Sequence, residues 1–286
     1  MAIFVGPTLI APPPMPPRPY GLFDVALGPM PFPEEPSRGG GVQYVPDTCT
    51  DDVYLYDMTC PPVTGSKTFN VLETAVSGSP FAVITTYTCG SLGYSFDEVA
   101  QRVRGRMQLR EQRAVERRVW QGQTAAEGQG PILGLFRNAT SLGSAGCATE
   151  AMELLEQALA DNGVVGGIIH ARPGMAPHLE QAHQIQYGRG NRLQTCLGTP
   201  FAFGQGYDGT GPLGQATTTN TEWMYASGRV LIWQDSEVLV PPIGQTMDRT
   251  TNQIYATAER IYAALVECGV WAVEVTRNCT TTGVPA

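Results

Sequence analysis

The spacing of apolar residues changes character along the chain, and each change marks an element. From Val53 to Cys89 the apolar residues come in β-branched and aromatic clusters, VYLYDM and then FAVITTYT, separated by the turn-rich CPPVTGSK and SGSP. That pattern predicts two extended segments, a long hairpin or strand pair over 51–90. At Ser95 the period becomes helical. Ser95-Phe-Asp-Glu98 has the form of a capping box, and Phe96, Ala100, Val103, Met107 and Ala114 fall on one side of a 3.6-residue wheel. One helix over 95–120 follows, roughly 37 Å long at 1.5 Å per residue, stopped by Gly122.

Beyond the glycine-rich loop after Trp120, a second helix over 149–161 is marked by Met152, Leu154, Leu155, Ala158 and Leu159 and closed by Asn162-Gly163. VVGGIIH reads as a buried strand, 176–186 as a short helix and 188–214 as loop. Val230 to Val240 reads as one long strand or two shorter ones. Residues 254–265 fit a helix by spacing and a strand by their β-branched and aromatic content, and 270–276 is a strand. Residues 1–50 are interrupted by PPPMPP, PFPEEP and RGGG, which remove backbone donors, so they read as an extended arm. Its apolar islands, Tyr20-Gly-Leu-Phe23 and Val42-Gln-Tyr-Val45, are unlike a plain linker and imply that the arm docks on something.

Composition narrows the class. A chain of 286 residues, 42% hydrophobic and 15% charged, buries roughly 75% of its unfolded surface, enough for one or two packed domains. The 33 glycines and 23 prolines are aperiodic and belong to loops and arms. No run of about 18 apolar residues is present, which argues against a membrane-spanning helix, and the proline-broken N-terminus lacks the basic start of a secretory signal. Seven cysteines without a CxxC pair read as reduced thiols of a cytosolic protein, with a Cys49 to Cys60 bridge as the lesser alternative.

Net charge −8 speaks against non-specific nucleic-acid adhesion as the main activity, because phosphate binding draws on clustered cations. One local cluster stands out. Arg102, Arg106, Arg110, Arg113 and Arg117 gather in an arc of about 80° beside the apolar stripe of the long helix. Like charges at i, i+4 repel, so the row calls for outside carboxylates or phosphates: a subunit contact or a packaged polyanion, against the ordinary alternative of a solvated face.

Metabolic chemistry finds little support. GYDGTGPLG (206–214) and the loop after Trp120 look like phosphate cradles, but neither is followed by GK[ST] or set in a βαβ unit, so both read as ordinary loops. His170, His178 and His183 have no metal-ligand spacing and read as surface or loop residues. No metal site and no cofactor is expected, and no GxSxG elbow or Cys-His signature occurs.

The order of parts is an arm, an extended hairpin, a long capped helix ending in ERRVWQGQ, a loop ending in GPILGLF, a helix followed by GGIIHARPGMAPHLEQ, a long strand pair, and the closing NQIYATAERIYAALVECGVWAVEVT. Over roughly residues 40–280 this order resembles the major capsid proteins of tailed bacteriophages with the Hong Kong 97 fold. The resemblance implies an α+β subunit with an N-terminal arm (1–50), an E-loop (51–90), a P domain (91–145 and 228–250) with its spine helix at 95–120, and an A domain with closing strands (146–227 and 251–286). It also implies a structural protein, not an enzyme, that self-assembles as hexamers and pentamers into an icosahedral shell around double-stranded DNA. Such a shell is made in the host bacterial cytoplasm and ends in the virion, with portal and scaffolding proteins and in some cases a decoration protein as partners, and without a membrane. An encapsulin-type nanocompartment shares the fold and is the nearest alternative; a tail or decoration protein is a further one.

Some members of that family crosslink their shells between an E-loop lysine and an asparagine of a neighbour, assisted by a glutamate seven residues after that asparagine. Here Lys67, the chain's single lysine, lies in the inferred E-loop, and Asn252 and Glu259 have that spacing. Attack by a neutral Lys67 amine on the Asn252 carboxamide, with Glu259 taking the proton, is the implied autocatalytic step. The alternative makes Lys67 a loop-tip cation and Asn252 a cap or turn residue.

Overall fold

The computed structural model describes residues 19–33, 37–46, 75–90, 95–123, 132–188, 190, 192–240, 247–248 and 250–277. Its architecture is α+β: two mixed sheets share one long helix. The six-stranded sheet is organised on β16 (Gln253–Val266). Along one edge of β16 runs β4 (Pro80–Gly90), antiparallel from Gln253↔Gly90 to Ala263↔Pro80. Along the other edge β15 (Met247–Asp248), β14 (Val238–Val240) and β13 (Val230–Gln234) pair with successive parts of it, and β1 (Leu27–Pro31) adds in parallel outside β13. The choice between helix and strand that the sequence leaves open for 254–265 is settled by period two: Ile254, Ala256 and Ala258 are buried while Gln253 and Tyr255 are exposed.

The five-stranded sheet has the order β11 (Phe201–Phe203), β8 (Ile168–Ala171), β12 (Thr221–Ser227), β17 (Val270–Thr276), β7 (Thr140–Ala145). Its outer pairs, β11 with β8 and β17 with β7, are parallel and the inner ones antiparallel. Helix α4 (Ala148–Asp161) covers it, burying Ala151, Met152, Leu155 and Leu159 in the cluster that holds Ile169, Met224 and Val273, with α5 (Ala176–Gln181) beside it. Three two-stranded ribbons complete the strands: β2 (Val42–Tyr44) with β3 (Val76–Gly78), β5 (Gly122–Gln123) with β6 (Ile132–Leu133), and β9 (Gln186–Tyr187) with β10 (Leu193–Gln194). Short helices α1 (Leu22–Val25) and α2 (Ser37–Gly40) flank β1.

The long helix, α3 (Phe96–Gln121), begins at the capping box: the Glu98 amide donates to Ser95 Oγ (3.3 Å) and the Ser95 amide donates to the Glu98 carboxylate (2.8 Å). It ends at Gly122, whose φ of 79° suits glycine and whose N–H closes on Arg118 O. Its buried row is Val99, Val103, Met107, Val115 and Val119, with Glu111 in the vacant i+4 place. A strict i+4 row turns by about 40° at each step. The helix therefore starts against β4 and β16 and ends facing the second sheet. Ala114 and Phe96, expected in the stripe, are only half-buried, because the true row turns away from them.

At the far end Trp120 stacks on Tyr207, with ring centroids 4.5 Å apart, and meets Phe136 and Tyr225 edge-on, while its Nε1 donates to Thr210 O (3.0 Å). His170 completes this cluster. Contrary to the surface reading of the sequence, it is wholly buried on β8, an inner strand of its sheet whose four residues Ile168–Ala171 are all buried. Its Nε2 lies 2.8 Å from Ser227 Oγ, which itself donates to Gly228 O, and its Nδ1 lies 3.0 Å from Tyr207 Oη. These bonds fit a neutral ring that donates from Nε2 and accepts at Nδ1, with no place for a second proton.

One carboxylate joins three segments. Glu116, fully buried on α3, accepts from the Leu22 amide (3.0 Å), the Gly206 amide (2.9 Å) and Gln112 Nε2 (3.0 Å). It pins the start of α1 and the 204–211 loop to the helix. Gly206 is required there, because a Cβ would sit 2.2 Å from Arg113 O.

Several sequence expectations are corrected. Residues 19–33, read as part of an extended arm that docks on something, are built into the fold of their own chain: Leu22 is in the main core and β1 is hydrogen-bonded into the first sheet. Proline did not prevent this, since β1 is an edge strand, where missing donors cost little. The expected grouping of 251–286 with 146–227 divides at residue 267: β16 lies in the sheet under α3, and only β17 joins the sheet under α4, together with β7, which had been grouped with the long helix. Cys268 is disulfide-bonded, against the expectation of reduced thiols throughout, while Cys89 and Cys196 are free. Sequence spacing carries no information on the Cα separation that a bridge requires.

Two buried groups generate predictions. Burial lowers the His170 pKa from its ordinary value to about 3. The unfolded chain then binds a proton below about pH 6.5 that the folded chain refuses, so stability should fall by roughly a kcal/mol or more per pH unit between those limits. Denaturation midpoints followed against pH should show this slope, and His170→Asn should flatten it. Glu116→Gln should cost roughly 1–3 kcal/mol in urea unfolding at neutral pH, because an amide accepts at one edge only and turns a donor toward the remaining N–H.

Candidate functional site

The arginine row does not act as a unit. Arg102 and Arg106 fold over Tyr87 of β4: Arg102 donates to Tyr87 Oη (3.1 Å), and the Arg106 guanidinium lies 4.4 Å from the ring centroid while donating to Thr86 O (3.3 Å). These two tie helix to strand within the chain, through cation–π contacts on the order of 0.5–1 kcal/mol each at exposed sites. Arg110, Arg113 and Arg117 remain exposed, and of these only Arg117 has a bond among the described residues, from Nε to Gln121 (2.9 Å). Three like charges on adjacent turns without a carboxylate form a basic face that the fold itself does not use.

A second charged set escaped the sequence reading. Glu111 on α3 accepts from Arg260 (2.6 Å) and from Tyr262 Oη (2.8 Å), both on β16, while Glu237 bonds Arg104 (2.9 Å) and lies 3.9 Å from Arg260. Burial and the Glu111 carboxylate together push the Tyr262 hydroxyl well above its ordinary range. The available signal was the i+4 row itself, in which a carboxylate at 111 replaces an apolar residue.

The 206–214 loop, which resembles a phosphate cradle, is a packing device. The Gly206 amide goes to Glu116, the Thr210 carbonyl accepts from both Trp120 and Tyr225 (2.8 Å), and Asp208 accepts from Gln121 and Thr210. Its donors are thus turned inward. Among the described residues no three His, Cys, Asp or Glu side chains converge on a common metal position. No helix is long and apolar enough to cross a membrane, again among the described residues.

Of the crosslink residues, Lys67 lies outside the described residues. Asn252 occupies the turn that joins β15 to β16, with φ of 52°, a left-handed conformation that Asn tolerates better than most residues, beside an Asp248 carboxylate that accepts from the Thr250 amide and from Thr251 Oγ1 (2.8 Å each). Glu259 lies in the middle of β16, between Ile84 and Val238. Seven residues of extended chain put about 23 Å between the two. The structure therefore does not bring them together, and one copy cannot offer both to the same lysine.

No family model matches the chain, and no curated protein matches it in sequence. Solved structures do. The capsid of an empty GTA particle superposes with TM-score 0.56 at 12% identity, covering 95% of each chain. A protein of Microbacterium phage Oxtober96 gives 0.55 at 13% identity over 96% of each chain. The SrpI encapsulin of Synechococcus elongatus PCC 7942 gives 0.52 at 12% identity, over 99% of this chain and 96% of the other. With nearly full coverage in each case, the long helix, the two sheets and their order along this chain are those of the Hong Kong 97-type capsid fold.

Proposed function

We propose that the chain is the subunit of a closed icosahedral shell, assembled as hexamers and pentamers around double-stranded DNA. The observation that carries this reading is the match to a particle capsid along 95% of both chains. In this reading it is a structural protein, built in the host cytoplasm alongside portal and scaffolding proteins, with a decoration protein as an optional partner, and carried in the virion. The domain division follows the sheets: α3 with the β16 sheet as the P domain, α4 with the β17 sheet as the A domain, and 51–90 as the E-loop, of which β4 is the returning strand. An encapsulin-type shell is the second reading, supported by the SrpI match.

Negative-stain microscopy of the purified chain, expressed with and without its genomic neighbours, tests both. Closed particles are expected, and nuclease-protected DNA inside mature ones separates a genome shell from a nanocompartment. Tubes, trimers or monomers under all conditions would overturn the shell reading.

Crosslinking belongs to the same proposal, in a form that the strand geometry dictates. If Lys67 of one copy bonds to Asn252 of a second, the new amide bond replacing the carboxamide C–N bond with release of ammonia, the 23 Å along β16 means that the proton acceptor is Glu259 of a copy other than the one that supplies Asn252. Mature particles boiled in denaturant should then run as ladders, and Lys67→Arg should return a single band near 30.7 kDa, since arginine has no neutral amine to attack with. Wild-type particles that dissolve wholly to monomer would leave Asn252 as the turn residue that its backbone conformation already explains.

A further inference from the structure

The outward face of α4 carries Glu150, Glu153, Gln157 and Asp161, all exposed. At 100° per residue they fall within an arc of about 80°. Arg110, Arg113 and Arg117, the exposed arginines of α3 that do not engage Tyr87, fall within about 60° on that helix. The acidic row spans eleven residue steps, about 17 Å of helix, and the arginine row seven, about 10 Å. Two of the acidic residues are held in place locally, Glu150 by accepting from the Gly146 amide (2.6 Å) and Asp161 by accepting from Gln157 (2.5 Å). An exposed leucine, Leu109, borders the arginine row, and the half-buried Leu154 borders the acidic one.

Within one chain the two rows cannot serve each other. Helix α3 lies on the β16 sheet and α4 on the β17 sheet, and among the described residues no ion pair joins them. We propose that the acidic face of α4 in one copy docks on the exposed arginine row of α3 in a second copy. The inference deepens the shell reading and rests on it. Comparable arc, opposite sign and an arginine row short enough to lie within the acidic one are what two helix faces need to pair, and pairing relieves the like-charge repulsion that each row carries alone. The patches differ, so the contact is head-to-tail, and a head-to-tail contact closes into a ring when its rotation allows, as hexamers and pentamers require. A phosphate backbone over the arginines would leave the acidic face without a role, and would meet it as a repulsive neighbour in a chain of net charge −8.

Charge reversal tests the contact. Arg110→Glu with Arg113→Glu, and separately Glu153→Arg with Asp161→Arg, should each cut the assembled fraction in sedimentation and microscopy by about tenfold or more, most strongly at low salt, with circular dichroism unchanged. The chain carrying all four substitutions should recover assembly to within about a few-fold of wild type, because the complementarity is restored with its sign inverted. Folded variants that assemble like wild type, or a combined variant no better than its parents, would overturn the docking while leaving the shell intact. Loss of packaged DNA with normal shell yield after the arginine reversal would also overturn it, in favour of a nucleic-acid contact. A wild-type chain that forms no particle would instead fail at the level of the shell reading, and the docking would fall with it.

Discussion

A carboxylate without a cation in a protein interior must be met by hydrogen-bond donors, and Glu116 draws its donors from three parts of the chain. Its bonds to the Leu22 and Gly206 amides and to Gln112 bring the start of the chain, the far loop of the second sheet and the last third of α3 to one point. Burial raises the pKa of the group, with the bonds from Leu22, Gly206 and Gln112 opposing the shift. On the linkage sign, such a group contributes most below its unfolded pKa and loses that contribution as pH rises through the folded one. Its value at neutral pH is therefore positional. Without it, the two amides would be buried unsatisfied, and α1 and the 204–211 loop would lose their common anchor. Trp120, Tyr207 and Tyr225 pack around the same point, so the aromatic cluster between helix and second sheet depends on where Glu116 holds the loop.

The two sheets are coupled at a second place. The chain passes from β12 to β13 through Ser227-Gly228-Arg229 and from β16 to β17 through Glu267-Cys268-Gly269, two neighbouring crossovers between the same pair of sheets. Buried Glu267 takes a two-point bond from Arg229, at 2.6 and 3.1 Å, and accepts from Tyr44 Oη, so the β2 ribbon is fastened at the same junction. Gly228 lets the backbones touch, since a Cβ there would lie 2.1 Å from Glu267 O. Removing one partner of such a pair leaves an uncompensated charge, which is why the junction fixes the relative position of the sheets more firmly than its modest net energy implies. Each row of surface charge, on α3 and on α4, is then held at a set distance and angle from the other, which a ring of repeating contacts needs.

Much of this fold was legible because local signals and tertiary environment agreed. The Ser95 capping box and the Gly122 stop bound α3, and the apolar spacing of 149–161 and 270–276 found α4 and β17, since each of these elements buries one regular face. Legibility failed where long-range contacts decide. No spacing argument shows that Glu116 is buried, that His170 sits on a strand covered on both sides, or that β16 pairs with the distant β4 as well as with the strands nearest to it in sequence. The arginine row is of one sign in the sequence, yet its division into two residues that engage Tyr87 and three that do not depends on the register of β4 against β16, which the periodicity of α3 does not contain.

The crosslink pattern shows how the same motif changes meaning once its secondary structure is known. On a helix, seven residues bring two side chains back to one face about 10 Å apart, and a single copy would supply both asparagine and glutamate to one reaction. In β16 the same spacing is extended and measures about 23 Å, close to the width of a small domain. Asn252 and Glu259 then lie in two different surroundings, one at the β15 turn and one at mid-sheet, where Glu259 lies opposite Ile84. Within one copy, therefore, the spacing that reads as a joint asparagine and glutamate site holds the two apart along the sheet instead of gathering them, and the meaning of the motif is decided by the strand and not by the count of residues.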